Sequence, residues 1–297
     1  MHDLVFLDSR DLIACIEHAR PVGHVALARE LRERNAVIVL TMTNVLETIP
    51  RGRSIRETVD LVERLESLPH LFVRYSELSL REFNEAVRAF STGAAPIVEL
   101  PICKSFWRVL VPASVADDPA QAEFHRALDK VPMSEQIRLA LGNGWQIGSD
   151  SNEFDPSSTR ELVGVLNVHR EILGVSQPNK RLFYHAVATQ LEHFQLTVDD
   201  FDSFADWLFH SPNVCAAWRL GHEVFQELRL DQTAGITGNG VTDLTHVYFL
   251  PYVAAGTLDK QWRDYCHRAA RRLARVGIEL PYANRLHANI ADMLRDW

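Results

Sequence analysis

Lysine is scarce in this chain: four residues against 27 arginines, out of 297 positions. Positive charge is therefore carried by planar guanidinium groups, which suit forked contacts to phosphate oxygens. Thirty-one basic residues face 39 acidic ones, for a formal net charge of -8. That balance excludes a surface that binds nucleic acid all over and leaves room for a local basic patch. Cysteine is also sparse. Cys15, Cys103, Cys215 and Cys266 lie far apart with no CxxC pair, which excludes a zinc ribbon and a disulfide framework and reads as small core residues in a reducing compartment. The thirteen histidines include no HExxH, so zinc hydrolysis has no support. No apolar run approaches the ~20 residues needed to span a bilayer, and the amino terminus enters a strand without a signal-peptide pattern. The expected location is cytoplasmic, with no membrane partner. No internal repeat or low-complexity segment is present.

What remains is a globular chain, 46% hydrophobic, with ample core. Leu4-Val5-Phe6-Leu7 and Ala36-Val37-Ile38-Val39-Leu40 are fully apolar runs of the kind buried in parallel sheets. A helical segment with Val25, Leu27, Ala28 and Leu31 joins them, which predicts a right-handed crossover. A helix over 56–68, a strand at Leu71-Phe72-Val73 and a helix with Leu80, Phe83, Val87 and Phe90 complete a first α/β half. From Ser91 the texture changes to Pro- and Gly-interrupted chain followed by helical stripes over 182–194, 201–208 and 214–228, with a capping box expected at Thr197-Val198-Asp199-Asp200. Near Asp243 the α/β texture resumes: a helix, a strand within 253–258, a long helix from Trp262, and a last helix carrying Leu286, Ile290 and Met293. The expected fold class is α/β, a parallel sheet flanked by helices. Residues 1–90 and 230–297 form a discontinuous α/β domain, and 91–229 a mostly helical insertion.

Ligands of an open parallel sheet bind beyond the carboxyl ends of its strands. Asp8 follows the first strand, Glu47 lies about two helical turns past the second, Asp243 opens a late helix and Asp259 follows the last expected strand. Each has a local alternative as a helix cap or a solvated face. Together they can converge, and four converged carboxylates need a cation, for which Mg²⁺ or Mn²⁺ is suited.

This pattern resembles the PIN-domain nucleases. Leu7-Asp8-Ser9 is similar to the family's apolar-Asp-small context, and Glu47 in "NVLE" to its helical acid. "DLTHVYFLPYVAAGTLDK" is similar to a stretch of larger, helix-containing members. The resemblance covers about residues 3–90 and 239–276. It implies a PIN-like sheet and a metal-dependent endoribonuclease in which Asp8, Glu47, Asp243 and Asp259 hold Mg²⁺ or Mn²⁺. RNA is the implied partner, with single-stranded DNA second and a protein inhibitor or a second copy of the chain as further candidates. Arg10 and Ala254 depart from the family, standing where relatives often carry a small polar residue and another acid.

Substrate phosphates could be met by Arg51, Arg53 and Arg56 beyond Glu47, or by Arg268 and Arg272 on the helix after Asp259, where the alternative is a solvated face with Asp264 pairing to Arg268. His246, one turn after Asp243, is a candidate substrate contact, its alternative a hydrogen-bonded core histidine. A catalytically silent PIN-like module that binds RNA or a protein is the competing function. A haloacid-dehalogenase type of phosphatase needs a second acid two residues after the first, where this chain has Arg10.

Overall fold

The computed structural model describes residues 2–49, 53–103, 105–111, 118–143, 180–231 and 244–297. Strands β1 (Asp3–Phe6), β2 (Ala36–Leu40), β3 (His70–Val73), β4 (Ile102–Cys103), β5 (Ala255–Thr257) and β6 (Leu286–His287) form one sheet in the order β4-β3-β2-β1-β5-β6. Every pairing is parallel except β3 with β4. The helices are α1 (Ser9–His18), α2 (His24–Glu33), α3 (Met42–Glu47), α4 (Ile55–Glu66), α5 (Tyr75–Thr92), α6 (Trp107–Leu110), α7 (Ala122–Leu128), α8 (Met133–Gly142), α9 (Lys180–His193), α10 (Phe201–His210), α11 (Ala216–Leu230), α12 (Lys260–Ala274) and α13 (Ile290–Asp296).

Successive strand residues point to opposite faces. Val5, Leu7, Ile38, Leu40 and Phe72 join one core with side chains of α1, α2, α4, α8 and α13. Phe6, Val39 and Val73 join the other, built with α5, α9, α10, α11 and α12. Helices cover both faces, which is why the β1 and β2 runs do not alternate with polar residues. The four cysteines are buried.

Two local expectations change. Leu286 belongs to β6, paired with β5, and the last helix begins only at Ile290, where the Asn289 side chain accepts the Asp292 N–H at 3.0 Å. At α10 the cap is Asp200 itself, accepting the Ser203 N–H at 3.0 Å, rather than Thr197. The two-residue strands β4 and β6 are too short to leave a periodic trace in sequence.

Two buried polar seams tie α11 to its neighbours. The Arg272 guanidinium reaches Glu227 at 2.6 Å and Glu223 at 2.9 Å, and Glu223 also pairs with Arg219 at 2.8 Å. Arg219 lies over the Phe183 and Phe209 rings and donates to the Phe209 carbonyl at 3.0 Å. At the other end, Glu82 from α5 accepts the N–H groups of Ala217 and Trp218 at 2.7 and 2.9 Å, placing a carboxyl group at the helix amino terminus.

Candidate functional site at the carboxyl edge of the sheet

β1 and β5 are parallel neighbours, so the acids that follow them reach the same sheet edge. Asp8 caps α1, its Oδ1 accepting the Arg10 N–H at 2.9 Å. Asp259 caps α12, its Oδ1 accepting the Trp262 N–H at 3.0 Å. Each cap bond engages Oδ1 and leaves Oδ2 outside it. The Asp8 N–H donates to Thr257 Oγ1 at 3.0 Å, locking the two strand ends together.

Glu47 ends α3 and accepts the Ser9 hydroxyl through Oε2. The direction of that bond follows from Asn44. Its Oδ1 accepts the Thr41 backbone N–H at 3.2 Å and the Thr41 hydroxyl at 2.9 Å, so its Nδ2 is the atom that donates to Ser9 Oγ, at 3.2 Å. Ser9 thus receives from Asn44 and gives to Glu47.

His246 lies among these acids. It is 1% exposed, its ring packs 5.3 Å from Phe6, and its Nε2 stands 3.8 Å from Glu47 Oε2. Among the described residues neither ring nitrogen has a hydrogen-bond partner. Burial drives the imidazole pKa down, opposed by the negative charges of Asp8 and Asp259, and the net shift is downward. The helical turn 244–247 that carries His246 is followed by Tyr248, whose ring lies so close to Gly221 on α11 that a Cβ there would collide with it. Asp11, one turn behind Asp8, is also buried. Desolvation raises its pKa, against the Thr257 hydrogen bond and the charge of Arg10, and among the described residues its Oδ2 has no hydrogen-bond partner, the Arg10 guanidinium standing 3.8 Å away.

The site candidates therefore divide. Asp8, Glu47, Asp259 and His246 come together; Asp243 and Arg51 lie outside the described residues. Ala254 does not belong to this edge. It follows Val253 at the opposite, amino end of the sheet, in a groove of ≈ 960 Å³ shared with Leu4, Leu71 and Tyr252. Arg10 is directed outward, its guanidinium 3.4 Å from the Ala288 carbonyl. Arg53 is paired with Glu17, and Arg56 is exposed on the first turn of α4. Arg268 pairs with Asp231 at 3.5 Å instead of Asp264 and lies over the Tyr265 ring. Arg272 is committed to the buried seam with Glu223 and Glu227, so its guanidinium has no path to a substrate phosphate.

Sequence reasoning missed Ser9, Asn44 and Thr257 as parts of the site. Only the Thr41-to-Asn44 spacing carried a usable signal, since Asn three residues after a cap can complete a capping box, as it does here.

Carboxylate oxygens with one imidazole are a donor set for a divalent cation, and the unpartnered nitrogens of His246 fit that use. Among the described residues, no three His, Cys, Asp or Glu side chains stand close enough together to hold an ion. The described arrangement is three acids whose charges face a buried imidazole, not a closed cage. No helix among the described residues is long and apolar enough to cross a membrane. No family model, curated protein or solved structure matches the chain.

Proposed function

We propose that this sheet edge is the active site of a PIN-like, metal-dependent endoribonuclease, with Asp8, Glu47 and Asp259, joined by Asp243, holding Mg²⁺ or Mn²⁺. The observation that supports it most is the meeting of Asp8 and Asp259, from adjacent parallel strands, with Glu47 around one buried imidazole. A divalent ion so held supplies an activated water and charge stabilisation for in-line hydrolysis of a phosphodiester. The chain's own contribution is orientation. Ser9 and Asn44 fix the Glu47 carboxylate, and the two helix caps fix Asp8 and Asp259 through Oδ1 of each. RNA ahead of single-stranded DNA rests on the resemblance alone. Among the described residues, Arg56 is the exposed arginine of the proposed phosphate cluster.

The test is cleavage of single-stranded and looped RNA by the full chain with Mg²⁺, Mn²⁺ or EDTA. Cleavage with either ion, lost in EDTA and in Glu47→Gln, is expected. Intact RNA and DNA under both ions would overturn the nuclease reading.

The silent PIN-like module keeps one specific argument in its favour. Asp8 and Asp259 both cap helices and Glu47 is bound by Ser9, so each acid has a structural partner without any ion. Uptake of Mn²⁺ separates the two readings.

A further inference from the structure

We propose that the groove at the amino end of the sheet binds a free medium-chain carboxylate, its head group on Arg285 and its alkyl chain on a stretch of sheet that the helices leave uncovered. The groove lies away from the acids of the carboxyl edge, and the binding needs none of them.

Strands β1, β3 and β4 supply the floor. Leu4 and Leu71 stand two positions before Phe6 and Val73 and so point to the same face, and Ile102 pairs with Val73 on that face. Phe6 and Val73 are buried there at 0% and 1% exposure, whereas Leu4 and Leu71 are only partly buried and Ile102 is 51% exposed. The faces of a parallel sheet are ordinarily covered. Here, among the described residues, the cover ends and leaves an apolar strip walled by Val98, Leu100 and the 251–254 segment. Its ≈ 960 Å³ lies near the top of the range of small-molecule sites, about 300–1,000 Å³.

The charged groups decide the head group. Besides Tyr252, whose hydroxyl is engaged by Glu82, the ionisable lining side chains are His2, Asp3, Glu99 and Arg285. His2, Asp3 and Glu99 are exposed, where water and salt screen their charge. Arg285 is partly buried, donates through Nη1 to the Val253 carbonyl at 3.0 Å, and has no carboxylate partner among the described residues. A guanidinium drawn partly out of water without a counter-charge favours an anion, and its fork matches the two oxygens of a carboxylate. One such donor beside an apolar strip is complementary to an amphiphile with a single carboxylate.

The experiment is calorimetric titration of the full chain in EDTA with octanoate, decanoate and dodecanoate, each below its micellar concentration. Octanol and octyltrimethylammonium are the head-group controls. Expected are one saturable site, tightening of about two- to fourfold per added methylene, and octanol weaker than octanoate by about tenfold or more. Arg285→Gln should abolish the preference for carboxylate over alcohol, and Ile102→Glu, at an exposed position, should weaken every chain length at unchanged melting temperature. The parent's head-group series decides the matter even where a variant does not fold. Equal binding of octanol and octanoate would overturn the assignment to Arg285, and tighter binding of the ammonium would transfer the preference to Asp3 and Glu99. Heat that does not saturate at one ligand per chain, or no binding at all, would likewise overturn the proposal.

Discussion

Tyr252 donates its hydroxyl to Glu82 across 2.5 Å inside the protein, joining the 250–252 turn to α5. Burial pushes the Glu82 carboxyl up from 4.5 to about 7, although Tyr252 and the two N–H groups of α11 favour its ionised form. In the unfolded chain it titrates near 4.5. Between those values the folded chain binds more protons than the unfolded one, so stability falls as pH rises from 4.5 to 7. The fall attributable to this group is on the order of 3 kcal/mol. Urea unfolding from pH 5 to pH 8 should show it, and Glu82→Gln should flatten it. An equal slope in the variant would assign the pH dependence to other groups.

The caps allow the acids to be neutralised with little structural cost. Asn caps helices about as well as Asp, so Asp8→Asn and Asp259→Asn should keep or raise the melting temperature in EDTA by removing repulsion around His246. The same variants should lose the rise that Mn²⁺ gives the parent. Thermal unfolding in the two buffers reads both effects. A parent that does not respond to Mn²⁺, with variants identical to it, would leave these acids as caps only.

The Asn44–Ser9–Glu47 chain has a direction that can be reversed. Asn44→Asp removes the donor to Ser9, turns the hydroxyl toward the new carboxylate and strips Glu47 of its hydrogen bond. Loss of about 1–3 kcal/mol is expected from denaturant unfolding, together with weaker Mn²⁺ uptake. Ser9→Ala should cost a similar amount by leaving Asn44 Nδ2 buried without an acceptor. Unchanged metal uptake in both would reduce the chain to a packing device.

The arginines on α12 and α4 should separate by what they are attached to. Arg272→Ala removes the guanidinium that Glu227 faces, leaves Glu223 with Arg219 alone in the interior, and should cost about 3–5 kcal/mol. Arg56→Ala, at an exposed position, should stay within about 0.5 kcal/mol of the parent. If Arg56 meets phosphate, its loss should also reduce the salt dependence of RNA binding. Measured stabilities in the reverse order would contradict the burial of the α11–α12 seam.

The first three strands and the strand before Asp259 were legible because they are apolar runs bounded by turns, and the long helices because their stripes repeat over several turns. β4 and β6, at two residues each, carry no period, so the antiparallel edge of the sheet and the place of Leu286 were not. In the site, the residues that follow strands were readable from position alone, as Asp8 and Asp259 show. Glu82 and Arg272 were not readable, because a charged residue on a helix face says nothing of the helix that will pack over it. The commitment of Arg272 depends on Glu223 and Glu227, which lie 49 and 45 positions earlier in the chain. The link from Asn44 through Ser9 joins residues 35 apart and likewise has no local trace.

β1 is made first and lies between β2 and β5 in the finished sheet. The bond from the Asp8 N–H to the Thr257 hydroxyl spans 249 residues. At ribosomal rates of roughly 5–20 residues per second, β1 waits about 12–50 s for its second neighbour. Throughout that interval an apolar strand has an open edge, the condition under which growing chains aggregate or recruit chaperones. The meeting of Asp8 with Asp259 is equally deferred, so any fragment that stops before β5 has only half of the site. Whatever chemistry these carboxylates perform is withheld from the nascent polypeptide until β5 and Asp259 have been translated.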